Sequence, residues 1–254
     1  MNVETAVAAA DPQSIQHFDV LIVGAGISGI DAAYHLLKDM PGKSFAVLEK
    51  QETFGGTWWT HKYPGIRSDS DLYTFGYKWK PWTGVPIATA PEILSYLGEA
   101  IEEQGIGPYI RYGQAVRGAS WDSEAGHWTL SVEDVATGTQ RPMTCTFLWM
   151  CQGYYRHEEG YTPEWPGMSD FQGQIVHPQT WPEDLDYSGK RVVVIGSGAT
   201  AATVVPAALM PVSNRGIFFF YSKITLNLGL EPHIRVNGVC RINCAYLGIT
   251  HNTF

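Results

Sequence analysis

Three glycines near the start of the chain, Gly24, Gly26 and Gly29, have the spacing GxGxxG. They follow the apolar run FDVLIV at residues 18–23, and apolar side chains recur at helical spacing in residues 30–40 after them. In such a strand, loop and helix, the first glycine permits a tight turn, the second lets the backbone approach a pyrophosphate, and the third lets the helix pack on the strand. The helix N-terminus then faces the phosphate charge, so the pattern predicts a dinucleotide-binding loop.

An acidic residue, Glu49, ends the next predicted strand, residues 44–48. It lies at about the distance expected for an acid that accepts hydrogen bonds from a ribose 2′-hydroxyl. Ser28 adds a hydroxyl group at the phosphate end of the same loop. The alternative is a glycine-rich turn that binds nothing. The agreement of strand, loop, helix and acid favours the dinucleotide site.

A second glycine-rich loop, GSGATA, follows the strand-like run KRVVVI at residues 190–195. Alanine takes the place of the third glycine, a variant that the same kind of loop accepts. The position of the loop late in the chain predicts the start of a second dinucleotide domain. Its expected contacts with NADPH are Gly196, Ser197, Gly198, Ala199, Thr200 and Ala201.

Residues 56–69, GTWWTHKYPGIRSD, fit the pattern GxWxxxxYPGxxxD. The glycines and the hydroxyl directly after Glu49 allow a second close approach of the backbone, which a flavin lying along the chain requires. The stretch resembles the FAD-binding half of the class B flavoprotein monooxygenases, which include flavin-containing and Baeyer–Villiger monooxygenases, and its motif is of the Baeyer–Villiger type. The continuation SDSDLYTFGYKWKPW is similar to that of the ethionamide-activating monooxygenase group.

The resemblance implies roles for several side chains in this stretch. Asp69 becomes the predicted catalytic residue, because in the family it lies near the flavin and nicotinamide rings and orients an arginine from far downstream, which is expected to be missing here. Arg67 becomes a candidate contact for NADPH. The alternative is that Arg67, Asp69 and Asp71 form a solvated loop. FAD is expected to contact three consecutive residues, Gly56, Thr57 and Trp58, in addition to Asp69.

The segment FQGQIVHPQTWP, residues 171–182, lies between the two glycine loops and fills every fixed position of FxGxxxHxxxWP. Its glycine and two prolines predict a rigid connector rather than a strand or a helix. The pattern resembles the Baeyer–Villiger fingerprint, and the related fingerprint of flavin-containing monooxygenases usually lacks the final WP. We interpret His177 and Trp181 as hinge residues between two domains, with no acid–base role for His177.

The middle of the chain is predicted to be scaffold. Residues 91–104 form an amphipathic helix by their apolar spacing, and residues 109–146 read as a β-meander. In the family, a backbone contact to the adenine of FAD comes from the first strand of this meander, which falls near Val116. Residues 147–151 are expected to return as a buried strand.

These elements predict an α/β protein. A Rossmann-like, three-layer FAD-binding domain of the GR2 type with a β-meander is followed by the start of a second Rossmann-like, NADPH-binding domain. The predicted order is a disordered tail (1–17), the N-terminal part of the FAD-binding domain (18–165), an inter-domain linker (166–189), the start of the NADPH-binding domain (190–223) and an atypical tail (224–254).

The residues after the second loop fit the family poorly. A helix at residues 201–210 is expected to be interrupted at Pro206. Residues 216–223 are expected to form the next strand, with Lys223 facing a 2′-phosphate. Because class B monooxygenases are much longer, the sequence from about Pro211 is expected to come from a premature stop, a retained intron or a frameshift.

Composition excludes several classes of function. The formal net charge of −8 and the scattered basic residues argue against nucleic acid as a partner. No basic n-region or long apolar run indicates a signal peptide or a transmembrane segment, which predicts a cytoplasmic protein. Four cysteines without a CxxxxC pair argue against a flavin-disulfide reductase. No metal site is expected, because the spacing of Cys240 and Cys244 with His233 and His251 fits no standard zinc pattern.

The sequence therefore predicts an FAD- and NADPH-dependent monooxygenase that uses O2. By resemblance, it would carry out Baeyer–Villiger oxidation of ketones, sulfoxidation or both through a C4a-peroxyflavin, on a small-molecule ketone, sulfide or thioamide. The chain is expected to be a truncated form without full activity. The alternative is a non-catalytic, FAD-binding fragment or a pseudoenzyme.

Overall fold

The computed structural model describes residues 15–164, 166–188, 190–196, 198–209 and 246–250. The helices are α1 (Ile27–Asp39), α2 (Thr57–Thr60), α3 (Leu72–Phe75), α4 (Ala90–Glu103) and α5 (Ala199–Leu209). The strands are β1 (Gln16–Val23), β2 (Phe45–Leu48), β3 (Ile110–Arg111), β4 (Gln114–Asp122), β5 (His127–Asp134), β6 (Gln140–Met150), β7 (Gln174–Val176), β8 (Arg191–Ile195) and β9 (Tyr246–Thr250). The predictions for Ser197, residues 216–223 with Lys223, and the Cys240, Cys244, His233 and His251 group lie outside the described residues.

The chain divides into two compact units. The first comprises Met1–Gly56 with Leu97–Gly153, and the second comprises Thr57–Tyr96 with Tyr154–Phe254. The segment 18–165 contributes to both units, so the predicted domain boundaries stay an interpretation of the sequence. No helix in the described ranges has the length and apolar character needed to cross a membrane.

The first unit is built on a six-stranded sheet in the order β3-β2-β1-β6-β5-β4. Pairing is parallel from β3 to β6 and antiparallel from β6 to β4. Leu21 and Ile22 are fully buried on opposite faces of β1, as expected for a central strand of a parallel sheet. Helix α1 follows directly and buries Ile30, Ala33 and Leu36 on one side. The predicted strand, loop, helix and second strand are therefore confirmed.

The meander is also confirmed, but its last strand differs from the prediction. Residues 140–150 form one continuous strand, β6, which pairs with β5 through its first half and with β1 through Met143–Met150. The expected separate, buried strand at residues 147–151 is wrong. Phe147 is 56% exposed, and Trp149 and Met150 are also exposed. One strand serves both the meander and the parallel sheet, so no chain reversal separates the two parts.

The second unit contains a three-stranded antiparallel sheet in the order β7-β9-β8. The apolar side of α5 packs on this sheet around a core made of Val176, Trp181, Val192, Val194, Ala201, Val204, Val205 and Ala208. The strand, loop and helix predicted around GSGATA are present as β8 and α5. The described pairing of β8 is antiparallel, with β9.

Two predictions for the second unit are wrong. The connector at residues 171–182 contains strand β7 and a 3₁₀ helix, Pro178–Thr180, because its alternating Gln174–Val176 segment finds a pairing partner in β9. Helix α5 is not interrupted at Pro206 but runs through it. Both Pro206 and Ala202, whose carbonyl loses its helical donor, are exposed, so solvent is available to that carbonyl.

Candidate dinucleotide sites

The glycine loop and the predicted ribose acid lie at one edge of the parallel sheet. Strands β1, β2 and β6 end in register, so Gly24, Glu49 and Cys151 follow them side by side. The amide of Gly24 donates to the carbonyl of Leu48 at 2.8 Å, and the amide of Cys151 donates to the carbonyl of Val23 at 2.8 Å. Ligands of open α/β sheets bind outside the carboxyl ends of the strands, which is where these residues stand.

Two of the three glycines in the first loop are required by the protein itself. Gly24 has φ of +101°, and a Cβ atom there would lie 2.7 Å from the carbonyl oxygen of Cys151. A Cβ atom on Gly29 would lie 1.8 Å from the carbonyl oxygen of Gly24. Any side chain at either position would therefore collide with backbone and displace the loop or helix α1.

Gly26 is different, because the protein leaves room for a side chain there. Its φ of −77° suits any residue, and a Cβ atom would come no closer than 3.8 Å to the Cα atom of Gly56. The amide of Gly55 donates to the carbonyl of Ala25 at 3.0 Å, so the second glycine pair is held against the first loop. The turns at Gly26 and at Gly55–Gly56 therefore face each other without side chains. We call the space between them the glycine cradle, and a Cβ atom on Gly26 would begin to fill it.

The start of α1 supplies the polar part of this cradle. Gly26 is the N-cap residue and forms no side-chain capping hydrogen bond, and no acidic residue lies in the first turn. Ser28 is exposed in that turn. The first amides of a helix have no partner within the helix and favour an anion such as a pyrophosphate. The donor set thus fits the dinucleotide predicted from the sequence.

Glu49 is buried, with only 6% of its surface exposed. Its Oε2 atom accepts a hydrogen bond from the amide of Ala25 at 2.7 Å, and its Oε1 atom accepts one from the amide of Gln51 at 2.8 Å. A carboxylate offers about four acceptor positions, so both oxygen atoms retain capacity for a ribose hydroxyl. The carboxylate therefore suits the predicted ribose contact while it also holds the glycine loop.

Strand β4 starts beside Glu49, since the amide of Gln114 donates to the carbonyl of Glu49 at 2.8 Å. Val116 lies two residues further on, next to a register shift between Val116 and Gly118. Because β4 is an edge strand of the sheet, alternate backbone groups of β4 face away from β5. The geometry is compatible with the backbone contact predicted at Val116, which stays a prediction.

In the second unit, Thr57 and Trp58 begin the short helix α2. The ring of Trp58 is partly buried and lies edge-on to the ring of Phe75, with centroids 6.3 Å apart. The neighbouring Trp59 is covered by the ammonium group of Lys62, whose Nζ atom lies 3.9 Å from the ring centroid. The segment thus presents aromatic surface, as an apolar pocket wall requires.

Arg67 and Asp69 lie on a stretch of backbone that is fixed by a β-bridge and a hydrogen bond to residues 88 and 89. Arg67 forms a β-bridge with Thr89, and the amide of Ser68 donates to the carbonyl of Ala88 at 2.9 Å. Ser68 is buried, whereas Arg67 and Asp69 on either side of it are exposed. Asp71 caps helix α3 by accepting from the amide of Thr74 at 2.9 Å. The stretch is therefore exposed but not a free loop.

A group of histidine and tyrosine side chains in the second unit was not found from the sequence. The ring of His61 lies 5.4 Å from the ring of Tyr155 and 5.9 Å from that of His157, measured between centroids. Burial, together with the nearby His157 and His177, lowers the pKa of His61 to about 4. The sequence signal was the run YYRH at residues 154–157, shortly after β6, but this run indicates no site unless His61 is known to lie beside it.

Asp69 lies close enough to the tyrosine side chains of this group to affect their pKa values. A hydrogen bond with Tyr154, then burial and the charges of Tyr154, Tyr63 and Asp69 raise the pKa of Tyr155 to about 12. Burial is the main reason that the pKa of Tyr63 is raised, and Asp69 adds to it. The structure therefore brings Asp69 near two phenol groups.

The two predicted hinge residues occupy defined positions in the second unit. The Nδ1 atom of His177 accepts a hydrogen bond from the amide of Gln179 at 3.2 Å, and so caps the 3₁₀ helix. A Cβ atom on Gly160 would lie 2.0 Å from the His177 ring, so the two segments are in direct contact. Trp181 is buried in the core and lies edge-on to Tyr187. These are structural contacts, and the hinge role stays a prediction.

The second glycine loop connects β8 to α5. Gly196 is buried, and Gly198 is exposed with open space where a side chain would be. Helix α5 begins at Ala199, and the amide of Ala202 donates to the carbonyl of Gly198 at 3.1 Å. Thr200 lies in the first turn, and Ala201 faces the core. The described part of this loop therefore has the open helix N-terminus that a phosphate contact needs.

The fold and the first glycine cradle define a Rossmann-like, dinucleotide-binding protein. Residues 22–81 match the family model of an NAD(P)-binding Rossmann-like domain. Residues 88–214, half of the chain, match the flavin-binding monooxygenase-like model. The chain belongs to the flavin-binding monooxygenase-like family.

Two similar curated proteins come from mycobacteria. The chain is 54% identical over 193 residues to the FAD-containing monooxygenase EthA of Mycolicibacterium smegmatis, a match that covers 76% of this chain and 39% of that protein. It is 52% identical over 202 residues to the putative FAD-containing monooxygenase MymA of Mycobacterium tuberculosis, covering 79% of this chain and 40% of that protein. The chain thus spans about 40% of the length of these relatives.

Solved structures of monooxygenases share the fold. An oxidized steroid monooxygenase bound to NADP is 30% identical, with a TM-score of 0.66, and the match covers 81% of this chain and 38% of that one. Cyclohexanone monooxygenase from Rhodococcus sp. Phi1 bound to NADP+ is 26% identical, also with a TM-score of 0.66, over 82% of this chain and 38% of that one. The predicted fold class and the resemblance to Baeyer–Villiger monooxygenases are confirmed.

Proposed function

We propose that this protein binds FAD at the β1–α1 loop and NADPH at the β8–α5 loop as part of a flavin-dependent monooxygenase. The observation that carries the proposal is the glycine cradle, in which Gly26 is bare although the protein leaves space for a side chain. A glycine that the fold itself does not require is explained by a ligand that approaches its backbone. The names of the similar proteins, FAD-containing monooxygenases, support FAD as that ligand.

Each part of the FAD would have its own contacts in this proposal. The first turn of α1, with Ser28, faces the pyrophosphate, and the Glu49 carboxylate accepts from a ribose hydroxyl. The backbone near Val116 meets the adenine. Gly56, with Thr57 and Trp58 after it, lines the path towards the flavin ring.

The second loop would hold the reductant. Gly198 and Thr200 stand at the open N-terminus of α5, where a pyrophosphate is favoured, and Arg67 is exposed and positively charged. The two solved relatives are bound to NADP and NADP+, which supports NADPH rather than NADH. Bound FAD would supply the oxygen chemistry after reduction, and Asp69 would orient a positively charged group near the reacting atoms.

The proposed substrate is a small molecule with a ketone or a sulfide, oxidised by insertion or transfer of one oxygen atom from O2. The ketone is supported by the name of the cyclohexanone monooxygenase among the structural relatives. The sulfide and thioamide alternatives rest on the resemblance of residues 56–82 to the ethionamide-activating group.

A second candidate is a non-catalytic, FAD-binding protein. It is favoured by the surroundings of Asp69, which forms no ion pair among the described residues. The arginine that the family places beside this carboxylate is therefore not supplied by the described part of the chain. In this case the first loop would bind FAD without turnover.

Purified protein distinguishes the two candidates. A flavin absorption spectrum, followed by NADPH oxidation that depends on a ketone or a thioether and yields an ester or a sulfoxide, supports the monooxygenase. Bound flavin without NADPH oxidation supports the second candidate. Protein that remains colourless after incubation with excess FAD contradicts both.

A further inference from the structure

The turn at Tyr63–Ile66 packs directly against helix α5 in the second unit. The amide of Ile66 donates to the carbonyl of Tyr63 at 3.4 Å, which closes the turn. Gly65 has φ of +74°, and a Cβ atom there would lie 2.5 Å from the Cβ atom of Ala207 and 3.0 Å from the carbonyl oxygen of Thr203. The backbone of the turn therefore touches the backbone of the helix with no space for a side chain.

Tyr63 extends this contact to the beginning of the helix. Its partly buried ring packs against the core beneath α5. The side chain of Thr200 lies near its hydroxyl group, where it opposes the rise that burial causes in the pKa of Tyr63. Thr200 is the second residue of α5 and comes two positions after Gly198, the open glycine of the loop.

The three contacted positions form one face of the helix. Thr200, Thr203 and Ala207 have the i, i+3, i+7 spacing that places side chains in one row along a helix. Because the Tyr63–Ile66 turn contacts this row of residues near both of its ends, it fixes the rotation of α5 about its axis. The first amides of α5 point in a direction that depends on this rotation.

We propose that Tyr63 and Gly65 are positioning residues for the second dinucleotide loop. They clamp α5 so that its N-terminal amides, after Gly198, are oriented for the pyrophosphate of a nicotinamide dinucleotide. This inference rests on the proposed function of that loop. It adds that the loop depends on a turn more than 130 residues earlier in the chain, within the same motif that carries Trp58 and Asp69.

The substitutions Tyr63→Phe and Gly65→Ala test the clamp. Tyr63→Phe removes only the hydroxyl group, and the loss of its interaction with Thr200, about 1 kcal/mol for a typical hydroxyl contact, is expected to weaken NADP+ binding roughly three- to tenfold. Gly65→Ala adds a Cβ atom against Thr203 and Ala207, and at least about a tenfold weakening is expected. Bound FAD per protein should stay constant, because the first loop is unchanged.

Matched controls separate the clamp from general strain. Gly138 has φ of +70°, close to that of Gly65, but nothing lies within 4 Å of its Cβ position, so Gly138→Ala has the same backbone strain without the collision. The hydroxyl of Tyr73 donates to the carbonyl of Gly84 at 2.7 Å on the surface, so Tyr73→Phe also removes one tyrosine hydroxyl group. Both controls are expected to bind NADP+ as the parent protein does.

A double-mutant cycle with Thr200→Val identifies the partner of the hydroxyl. In the Thr200→Val background, Tyr63→Phe should cause no further weakening, because the interaction between the two hydroxyl groups is already absent. A Tyr63 that only stabilises the fold would instead lower the melting temperature equally in both backgrounds and leave the NADP+ dissociation constant of the folded protein unchanged. That result would overturn the proposal.

Amide hydrogen exchange provides a readout that does not need the nucleotide. Exchange at residues 198–202 should be faster in Tyr63→Phe and Gly65→Ala than in the parent protein and the controls. If the parent protein does not bind NADP+ at all, the proposed function of the loop fails, and hydrogen exchange still decides whether the turn orders the helix N-terminus. Unchanged exchange at these amides in both variants would overturn the clamp.

Discussion

The Oε2 atom of Glu49 accepts a hydrogen bond from the amide of Ala25 at 2.7 Å. The residue expected to bind a ribose therefore also ties the end of β2 to the middle of the glycine loop. Its second oxygen accepts from the amide of Gln51, so the buried carboxylate organises backbone on two sides. Hydrogen bonds to a charged acceptor are stronger than neutral ones, which gives this residue a structural role in the absence of ligand.

Substitution of Glu49 by Gln should therefore lower both stability and FAD binding. The amide group keeps the size of the side chain, but one of its ends must face a backbone amide as a second donor. Leaving that donor unsatisfied is expected to lower the free energy of unfolding by about 1–3 kcal/mol. Urea unfolding and the ratio of flavin to protein measure the two effects. Glu52→Gln, at an exposed position nearby, is the control. Equal stability of Glu49→Gln and the parent protein would contradict the dual role.

Substitutions at Gly26 and Gly29 should have different effects, although both belong to one motif. Gly26→Ala has an unstrained backbone and room for its methyl group, so it is expected to fold with a stability close to that of the parent and to lose most FAD binding. Gly29→Ala places the methyl group 1.8 Å from the carbonyl oxygen of Gly24, so it is expected to destabilise the fold itself by more than about 3 kcal/mol.

Thermal unfolding without cofactor, followed by a flavin titration, separates these effects. If Gly26→Ala retains full affinity for FAD, the cradle is not the binding site. Gly138→Ala, whose methyl group meets nothing, controls for the loss of a glycine as such.

The first unit could be predicted from the sequence because its signals are local. The spacing of Gly24, Gly26 and Gly29 between an apolar strand and an amphipathic helix has one common structural solution. The position of Glu49 could then be predicted, because the ribose-binding acid is expected at the end of the second strand. The same local reasoning failed for residues 147–151, because no turn residue shows whether two apolar segments form one strand or two.

Tertiary partners explain the other errors. Strand β7 is only three residues long and forms because β9, about 70 residues later, pairs with it. Pro206 is a local signal for a helix end, but packing of Val204, Val205 and Ala208 on the sheet outweighs it. The contact of Gly65 with Ala207 has no local signal at all, since GxxxD spacing says nothing about which helix lies against the glycine.

His61 should make stability depend on pH in the mildly acidic range. Its pKa is lowered from 6.5 to about 4, mainly by burial. The unfolded chain therefore binds a proton more readily than the folded protein does, and stability is expected to fall as the pH drops from about 6.5 towards 4. With allowance for partial exposure to solvent, the expected slope is about 1 kcal/mol per pH unit.

The variant His61→Phe keeps a ring among the neighbouring aromatic side chains and removes the proton site. Urea unfolding at several pH values between 4 and 7 should show a smaller slope for this variant than for the parent protein. The pKa of His177 is also lowered by burial, so a residual slope is expected in His61→Phe. Identical slopes in His61→Phe and the parent would rule out His61 as a source.

Replacement of Pro206 by Ala should stabilise helix α5. Proline has no amide hydrogen, so the carbonyl of Ala202 lacks its donor within the helix, and the ring crowds the preceding turn. Alanine restores the donor and has the best helix propensity, so the free energy of unfolding is expected to rise by about 1–3 kcal/mol. Urea unfolding measures the change, and Pro81→Ala, in an exposed loop, should give no gain. A loss of stability in Pro206→Ala would instead show that the proline is needed to place Ala207 against Gly65. The helix of the variant would then differ from that of the parent protein only in the position of the turn that contains Ala207.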